Sequence, residues 1–337
     1  MDSSSTLTYE DYTVGWLCAA TTERIAACEL LEETHRTLTC KPYDNNAYSF
    51  GRIGDHNVVI AGLPNGKYGT SSAATVAKDL LRSFSSIRIR LMVGIGGGAP
   101  SHKHDIRLGD VVVSSPSGTT GGIVYYDFGK VVQEKEFERT GSLNAPPTAL
   151  LTALQNIQNL HKRNGHRIVE SIASMVQQNR RLRKDYEHPG AENDRLYAAN
   201  YVHVQSGQLC ARVCGDAALI TREPRSENQD DPEIHYGLIA SADKLMKDAL
   251  IRDTLSNEFD VLCFEMEAAG LMDNFPCLVV RGICDYADTH KNDQWQGYAA
   301  ATAAAYAKEL LQAMPGQQVI TTNRLVRTVL QPGEHLD

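Results

Sequence analysis

VLCFEMEAAGLMDNFPCLVVRGICDYAD, residues 261–288, is the stretch that decides the fold. It contains two short apolar runs, 261–264 and 277–284, each typical of a strand buried on both faces. Acidic residues follow the two runs, namely Glu265, Glu267, Asp285 and Asp288. Parallel strands end at one edge of their sheet, and ligands of open α/β sheets bind at that edge. We therefore expect each run to aim a carboxylate into a common cleft.

Two interpretations of these acids are open from residue types alone. They are either solvated side chains at strand ends or groups that bind a ligand. The small residues Ala268, Ala269 and Gly270 also predict a helix that packs closely after Glu267.

Two segments within this stretch, Met266-Glu267-Ala268-Ala269 and 281–285, resemble the signatures of the nucleoside phosphorylase/nucleosidase superfamily. The resemblance extends over residues 12–311 and is interrupted by a long middle segment. It implies that Met266 and Glu267 grip a ribose, with the Glu267 carboxylate bonding the sugar hydroxyls. It also implies that Asp285 is the general acid that protonates a purine at N7 as the base leaves. Within the superfamily, the sequence most resembles fungal-type stand-alone nucleosidase domains and ATP-cleaving nucleosidases.

The predicted fold is a single three-layer α/β/α domain with a central mixed, mostly parallel sheet. Residues 1–314 form this domain, with a polar insertion at about 160–234, and residues 315–337 form a C-terminal tail. Further strands are predicted at 13–18, 58–63, 87–93, 108–114 and 235–242, and helices at or within 26–31, 70–81, 146–160 and 295–314. Asp243 is predicted to cap a helix that begins near Lys244.

Composition limits the class of protein. The 337 residues are 42% hydrophobic and 22% charged, which is typical of a soluble globular protein. The net charge of −8 argues against nucleic acid as a partner. No apolar run is long enough for a membrane helix, and the start lacks the regions of a signal peptide. We expect a cytoplasmic protein that does not bind a membrane and that forms a homo-oligomer.

The eight cysteines do not predict a disulfide or a metal site. Several lie in apolar, strand-like runs, as reduced and buried cysteines do. Cys210 and Cys214 are four residues apart, but no Cys or His partners with zinc spacing follow them nearby. The sequence therefore predicts no metal and no cofactor.

Glu23 lies in the first turn of the first predicted helix, which Thr21 or Thr22 would cap. An acid at that position is ordinarily a partner of the helix dipole. The resemblance assigns it another role, because a Glu at this place in nucleosidases holds the attacking water. Glu23 is thus the candidate general base or water-positioning residue.

The glycine-rich segment 94–98 is predicted to be a turn after a strand, where the backbone can approach a ligand. Taken alone this motif is weak, because it lacks the features of a P-loop or dinucleotide fingerprint. The resemblance places Gly96 and Gly97 beneath the ribose and base. It also places Leu245 and Met246 in the base pocket. Phe128, in an aromatic segment, is either a wall of that pocket or plain core.

The insertion carries more Lys and Arg than Asp and Glu between residues 160 and 195. It is either a solvated surface segment or a lid that offers cations to an anionic substrate. Other candidate phosphate ligands are basic residues in loops elsewhere: Lys103, Arg107, Arg52 and Lys67.

Water is the expected nucleophile. Phosphorylases of the family hold phosphate with an Arg and a Ser that flank the first glycine, and here those places are taken by Met92 and Ile95. Neither side chain can hydrogen-bond an anion. We therefore expect a purine N-ribosyl hydrolase of adenine nucleotides, best ATP, whose partner is a small-molecule purine nucleoside or nucleotide. The alternatives are a phosphate-dependent phosphorylase, a methylthioadenosine-type nucleosidase, and a non-catalytic nucleotide-sensing module.

Overall fold

The structure is a computed structural model that describes residues 7–39, 41–134, 137–205, 208, 210–291 and 293–316. Its strands are β1 (Val14–Cys18), β2 (Glu33–Thr34), β3 (Tyr48–Ile53), β4 (His56–Gly62), β5 (Ile89–Gly98), β6 (Val111–Ser114), β7 (Ile123–Tyr125), β8 (Gly129–Lys130), β9 (Glu138–Arg139), β10 (Ile234–Ser241), β11 (Val261–Glu265) and β12 (Leu278–Asp285). Its α-helices are α1 (Thr21–Glu29), α2 (Thr70–Ser83), α3 (Thr148–Asn164), α4 (Ile168–Gln178), α5 (Arg183–Tyr186), α6 (Cys210–Val213), α7 (Ala249–Phe259) and α8 (Gln296–Gln312).

A mixed sheet of ten strands forms the centre of the part that the structure describes, and β8 and β9 pair separately. The strand order is β11-β10-β6-β12-β5-β1-β4-β3-β2, with β7 beside β10. Strand β11 also pairs with β5, so that β5, β12, β6, β10 and β11 close into a ring. Most pairings are parallel, including those of β1 with β4 and β5 and of β12 with β5. The predicted mixed, mostly parallel sheet is confirmed.

The alanine-rich helix α8 lies against the middle of the sheet. It packs on β12 and β5, and α1, α4 and α5 pack on it in turn. Its small side chains are almost all buried, which lets the helix axis approach the strands closely. Of the strands it covers, β12 is buried along its whole length and β5 at every residue except Ile95, as expected for parallel strands. None of the described helices is both long and apolar enough to cross a membrane.

The glycine-rich segment is not a turn. β5 continues through it to Gly98, and Gly97 and Gly98 pair with Phe264 and Cys263 of β11. Without side chains, this part of β5 can pair with β12 on one side and with β11 on the other. The prediction of a turn followed the usual meaning of glycine and missed this ring closure.

The predicted start of the helix after β10 is wrong. The helix after β10 begins at Ala249 and not near Lys244, because Asp248 caps it by accepting from the amides of Leu250 and Ile251. Asp243 instead caps α2 from a distant part of the chain, accepting from the Thr70 amide at 2.7 Å and the Thr70 hydroxyl at 2.8 Å.

The segment after Glu267 is a single 3₁₀ turn, Ala268–Gly270, and not a helix. At α1 the cap is not a threonine. Ala20 is the N-cap, and the Glu23 carboxylate accepts its amide hydrogen.

Part of the predicted insertion belongs to the core and is not a solvated segment. α4 buries its apolar face, with Ile168, Ile172 and Met175, and the Tyr186 hydroxyl donates to the carbonyl of Thr22 at 2.9 Å. A second part of the insertion forms its own small cluster, in which Tyr201 and Leu219 pack against the buried Tyr197, Cys210 and Cys214. The domain bounds stay a prediction, and most of the predicted tail, 317–337, lies outside the described residues.

Candidate active site

Three buried glutamates surround one buried arginine at the carboxyl edge of the sheet. The Arg281 guanidinium, on β12, makes an ion pair with Glu265 at the end of β11. Its Nη2 also lies 3.4 Å from Glu267 Oε2, and its Nη1 lies 4.0 Å from Glu23 Oε1. Arg281 therefore lies between Glu23 and Glu267 and brings them together. No role was assigned to Arg281 from the sequence.

Backbone amides fix each of these carboxylates. Glu23 accepts from the amides of Ala19 at 2.6 Å, Ala20 at 2.9 Å and Ile95 at 2.8 Å. A Cβ at position 94 would collide with the Glu23 carboxylate, so Gly94 is required where β5 passes it. Glu267 accepts from the Gly69 amide at 3.3 Å. Carboxylates held in this way lose little entropy when they bind a ligand.

The cluster carries more negative than positive charge, and this shows in its titration. Burial raises the pKa of Glu267 to about 7 against the attraction of Arg281, and the charges of Glu265 and Glu23 raise it further. Burial also raises the pKa of Glu23, although Arg281 and three backbone amides oppose the rise. Carboxyl groups with a raised pKa of this kind are typical of functional sites.

Asp285 lies at the end of β12, and its carboxylate is almost fully buried. It accepts from the Ala287 amide at 2.9 Å and makes an ion pair with the Lys291 ammonium. Burial alone would lower the pKa of Lys291, but the neighbouring Asp285 carboxylate outweighs it and raises that pKa. A Cβ at Gly97 would lie 2.7 Å from Asp285 Oδ1, so the glycine gives this carboxyl its room.

Two concavities meet at Asp285 and Lys291. The larger, of ≈ 840 Å³, is bordered by the loop after β12 and by the second part of the insertion. Its charged lining includes Arg195, Lys247, Asp288 and Asp293. The smaller one is a narrow pocket whose lining brings together predicted residues from three segments, namely Gly97, Leu245, Met246 and Met266. Gly96 lies beside it in β5, against the carbonyl of Phe264.

Several predicted residues lie elsewhere. Phe128 stacks on Tyr125 with ring centroids 5.4 Å apart and is 55% exposed, away from both concavities. Lys103 pairs with Asp260 at 3.5 Å, and Arg107 pairs with Asp105. Neither Lys103 nor Arg107 lines either of the two concavities, which together are called the cleft below.

Arg52 is a wrong prediction, because β3 places it opposite Asn57 at the amino end of β4, the far edge of the sheet. Its guanidinium pairs with Glu33 at 3.1 Å. Lys67 is exposed in the loop that precedes Gly69, whose amide contacts Glu267, and so it stays near the site.

Cys210 and Cys214 have histidine neighbours in the fold, although no Cys or His set with zinc spacing follows them in the sequence. The fold brings His203 and His290 against them, and the donor atoms of all four side chains lie within 4.8 Å of one another. Only His203 is near in sequence, whereas His290 comes from the loop after β12. Spacing along the chain could not show this.

The sequence offered a clue to one of the other residues that were not predicted, but not to the rest. An arginine inside an apolar strand must find buried acids, so Arg281 could have been assigned from the acids that follow β11. Lys291, Arg195 and Lys247 gave no such signal, because lysine and arginine in polar segments are usually solvated.

The profile of the Phosphorylase superfamily matches residues 20–314. The chain belongs to this superfamily. Among relatives, it is 43% identical over 329 residues to a nucleotide-binding leucine-rich repeat (NLR)-like protein of Hyaloscypha variabilis, covering 97% of this chain and 32% of that protein. It is 25% identical over 251 residues to the ATP nucleosidase Cap17 of Escherichia coli, and the match covers 72% of this chain and 39% of that protein. The chain thus spans roughly a third of the length of these two relatives.

The fold agrees with solved members of the superfamily. The 5'-methylthioadenosine/S-adenosylhomocysteine nucleosidase of Neisseria meningitidis, solved with methylthio-immucillin-A, superposes with a TM-score of 0.55. The match covers 89% of this chain and 99% of that one at 16% identity. At this identity the likeness concerns the fold.

Proposed function

We propose that the protein is a purine N-ribosyl hydrolase whose substrate is an adenine nucleotide, best ATP, and whose products are adenine and the ribose phosphate. The observation that carries the proposal is the gathering of Glu23 and Glu267 around Arg281, at the same sheet edge as Asp285. Superfamily membership and the likeness to an ATP nucleosidase support it.

In this proposal the three carboxyl groups divide the work. Glu267 accepts from the ribose hydroxyls, and its charge stabilises the cationic sugar of the transition state. Asp285 is protonated when the base leaves, delivers that proton to N7, and is left as a carboxylate that the Lys291 ammonium stabilises. Glu23 orients the water that attacks the anomeric carbon.

Electrostatics favour water over phosphate as the nucleophile. Met92 is wholly buried in the core, and the Ile95 amide already donates to Glu23, so neither place offers a free donor to phosphate. The Arg281 guanidinium is occupied by carboxylates. The three glutamates around Arg281 carry an excess of negative charge. This charge would repel a phosphate dianion but not a neutral water molecule.

The larger concavity offers further cations for the phosphates of the nucleotide, which the sequence did not predict. Arg195 pairs with Asp216, and Lys291 pairs with Asp285. Lys247 is exposed and has no ion pair among the described residues. Of the three, Lys247 is therefore the freest to bind a phosphate, and Arg195 lines the same concavity.

Substrate preference tests this assignment. ATP, AMP, adenosine, inosine and methylthioadenosine are incubated with the protein, and the free base is measured by chromatography. We expect adenine from ATP with a higher kcat/KM than from adenosine, and a smaller advantage at high salt. Lys247→Ala should lower the ATP-to-adenosine ratio roughly fivefold to tenfold.

Lys103→Ala is the matched control for Lys247→Ala, since it removes the same charge outside the cleft and should leave the ratio unchanged. A wild-type ratio near one at low salt would contradict the nucleotide assignment and leave a plain nucleosidase. Release of no base from any substrate would contradict the enzyme assignment and favour a nucleotide sensor.

The activity should also fall in mild acid. Protonated Glu267 can no longer accept both ribose hydroxyls or stabilise the sugar cation, so kcat/KM should decrease as the pH falls below about 7. In Glu267→Gln the remaining acid limb should move to lower pH, because a negative charge next to Glu23 is gone. A wild-type profile that is flat from pH 8 to 5 would remove Glu267 from this role.

A further inference from the structure

A buried cluster of two cysteines and two histidines lies beside the proposed nucleotide cleft. Cys210 and Cys214 are 7% exposed and His290 is 6% exposed, and none of them has a role in the proposed chemistry. His203 closes the group from the side of the insertion. All four donor atoms lie within 4.8 Å of one another.

The distances fit a tetrahedral metal site. The His203 Nδ1 atom lies 3.2 Å from Cys214 Sγ and 3.5 Å from Cys210 Sγ. The His290 Nδ1 atom lies 3.7 Å from each sulfur. With zinc–sulfur bonds of about 2.3 Å and zinc–nitrogen bonds of about 2.0–2.1 Å, a tetrahedron separates sulfur from nitrogen by roughly 3.5 Å. The four observed separations bracket that value.

Surrounding groups prepare the ligands. The other ring nitrogen of His290 lies 2.9 Å from the carbonyl of Tyr201, which can only accept a hydrogen bond. That nitrogen is therefore the protonated one, and Nδ1 keeps its lone pair for a metal. The ring also stacks on Tyr197 with centroids 4.0 Å apart, which fixes its plane.

The charge also balances. When Zn²⁺ binds, each cysteine thiol gives up its proton to solvent, and two thiolates with two neutral imidazoles leave the site neutral. A neutral site is compatible with its burial beside Tyr197 and Leu219. Four protein ligands with sulfur and nitrogen donors are typical of a closed structural zinc site, with no position open for catalysis.

We propose that His203, Cys210, Cys214 and His290 bind one structural Zn²⁺ ion. The ion joins the second part of the insertion to the loop that follows β12. That loop also carries Lys291, the partner of Asp285, and both segments line the cleft. Zinc thus fixes the wall of the cleft, and its presence does not depend on which substrate the cleft accepts.

Metal content of the purified full-length chain tests the proposal. The protein is produced with added zinc, purified without chelators and analysed by inductively coupled plasma mass spectrometry. We expect about one zinc per chain in the wild type. Cys214→Ser and His203→Asn should lose most of it. Cys28→Ser, which removes a half-buried thiol on α1, should keep it.

Two measurements on the wild type serve if those variants fail to fold. A chelator should lower the melting temperature, and Zn²⁺ but not Mg²⁺ should restore it. Cobalt in place of zinc should give the thiolate charge-transfer and intense d–d absorption of a tetrahedral S₂N₂ site. These readouts need no substrate, so they stand apart from the proposed hydrolase activity.

Two results would overturn the zinc site. One is a wild-type chain that holds no zinc after incubation with the metal and dialysis. The other is a Cys210–Cys214 disulfide in the metal-free native protein, seen by mass spectrometry as two thiols that resist alkylation until reduced.

Discussion

Asp285→Asn should lower kcat by about 10²–10⁴-fold, the usual contribution of a general acid. The amide keeps the size of the side chain and can still accept from the Ala287 amide. It has no acidic proton to give to N7, and it loses the ion pair with Lys291. Initial rates of adenine release at saturating ATP, with melting temperatures of both proteins, provide the test.

A 7-methylpurine nucleotide sharpens this test. Its base already carries a positive charge, so it can leave without protonation. The variant should therefore lose much less activity on this substrate than on ATP, relative to wild type. An equal loss on both substrates would mean that Asp285 supports the site in some other way.

Arg281→Met should lower the free energy of unfolding by about 3–5 kcal/mol, because it leaves buried carboxylates without their counter-ion. Arg281 is 1% exposed, and it contacts three glutamates that are themselves buried. Urea unfolding followed by circular dichroism would measure the change. Activity should be lost as well, since Glu23 and Glu267 would no longer be held.

Arg90→Met is the matched control, because Arg90 is another buried arginine, in the strand β5 that pairs with β12. Arg90 is also buried, but it has no ion pair among the described residues, and its Nε and Nη1 have no hydrogen-bond partner there. Burial lowers the pKa of this guanidinium, as expected where no carboxylate compensates for it. Removing it should cost little or even stabilise the fold. If the two variants are equally destabilised, the glutamate cluster does not depend on Arg281.

Much of the fold could be predicted because its strands are buried on both faces and therefore appear as continuous apolar runs. β1, β4, β6, β10, β11 and β12 lie within a few residues of their predicted positions. The end of β5 could not be predicted, because glycine usually interrupts a strand and here pairs with a strand far along the chain. The start of α7 was predicted wrongly for a related reason. Aspartate is a common N-cap residue, but Asp243 caps α2 and not α7.

Some residues of the candidate site could be predicted from the sequence and others could not. Glu23, Glu267 and Asp285 could be proposed because they match motifs of a known family that stand next to strand ends. The proposed phosphate-binding residues Arg195 and Lys247 could not, because their place depends on how loops fold back over the sheet. Arg52 lies at the far edge, while Arg195 and Lys247 reach the cleft from segments that look merely polar. The cysteine–histidine cluster joins residues up to 87 positions apart (290 − 203) for the same reason.

The origin of the oxygen added to the sugar tests the central claim most directly. ATP is incubated with the protein in ¹⁸O-labelled water, with and without inorganic phosphate, and the sugar product is analysed at once by mass spectrometry. We predict free adenine and a reducing ribose triphosphate that carries one ¹⁸O at C1, formed at a rate that phosphate does not raise. A sugar phosphorylated at C1, or a rate proportional to phosphate, would contradict the assignment and show the protein to be a phosphorylase.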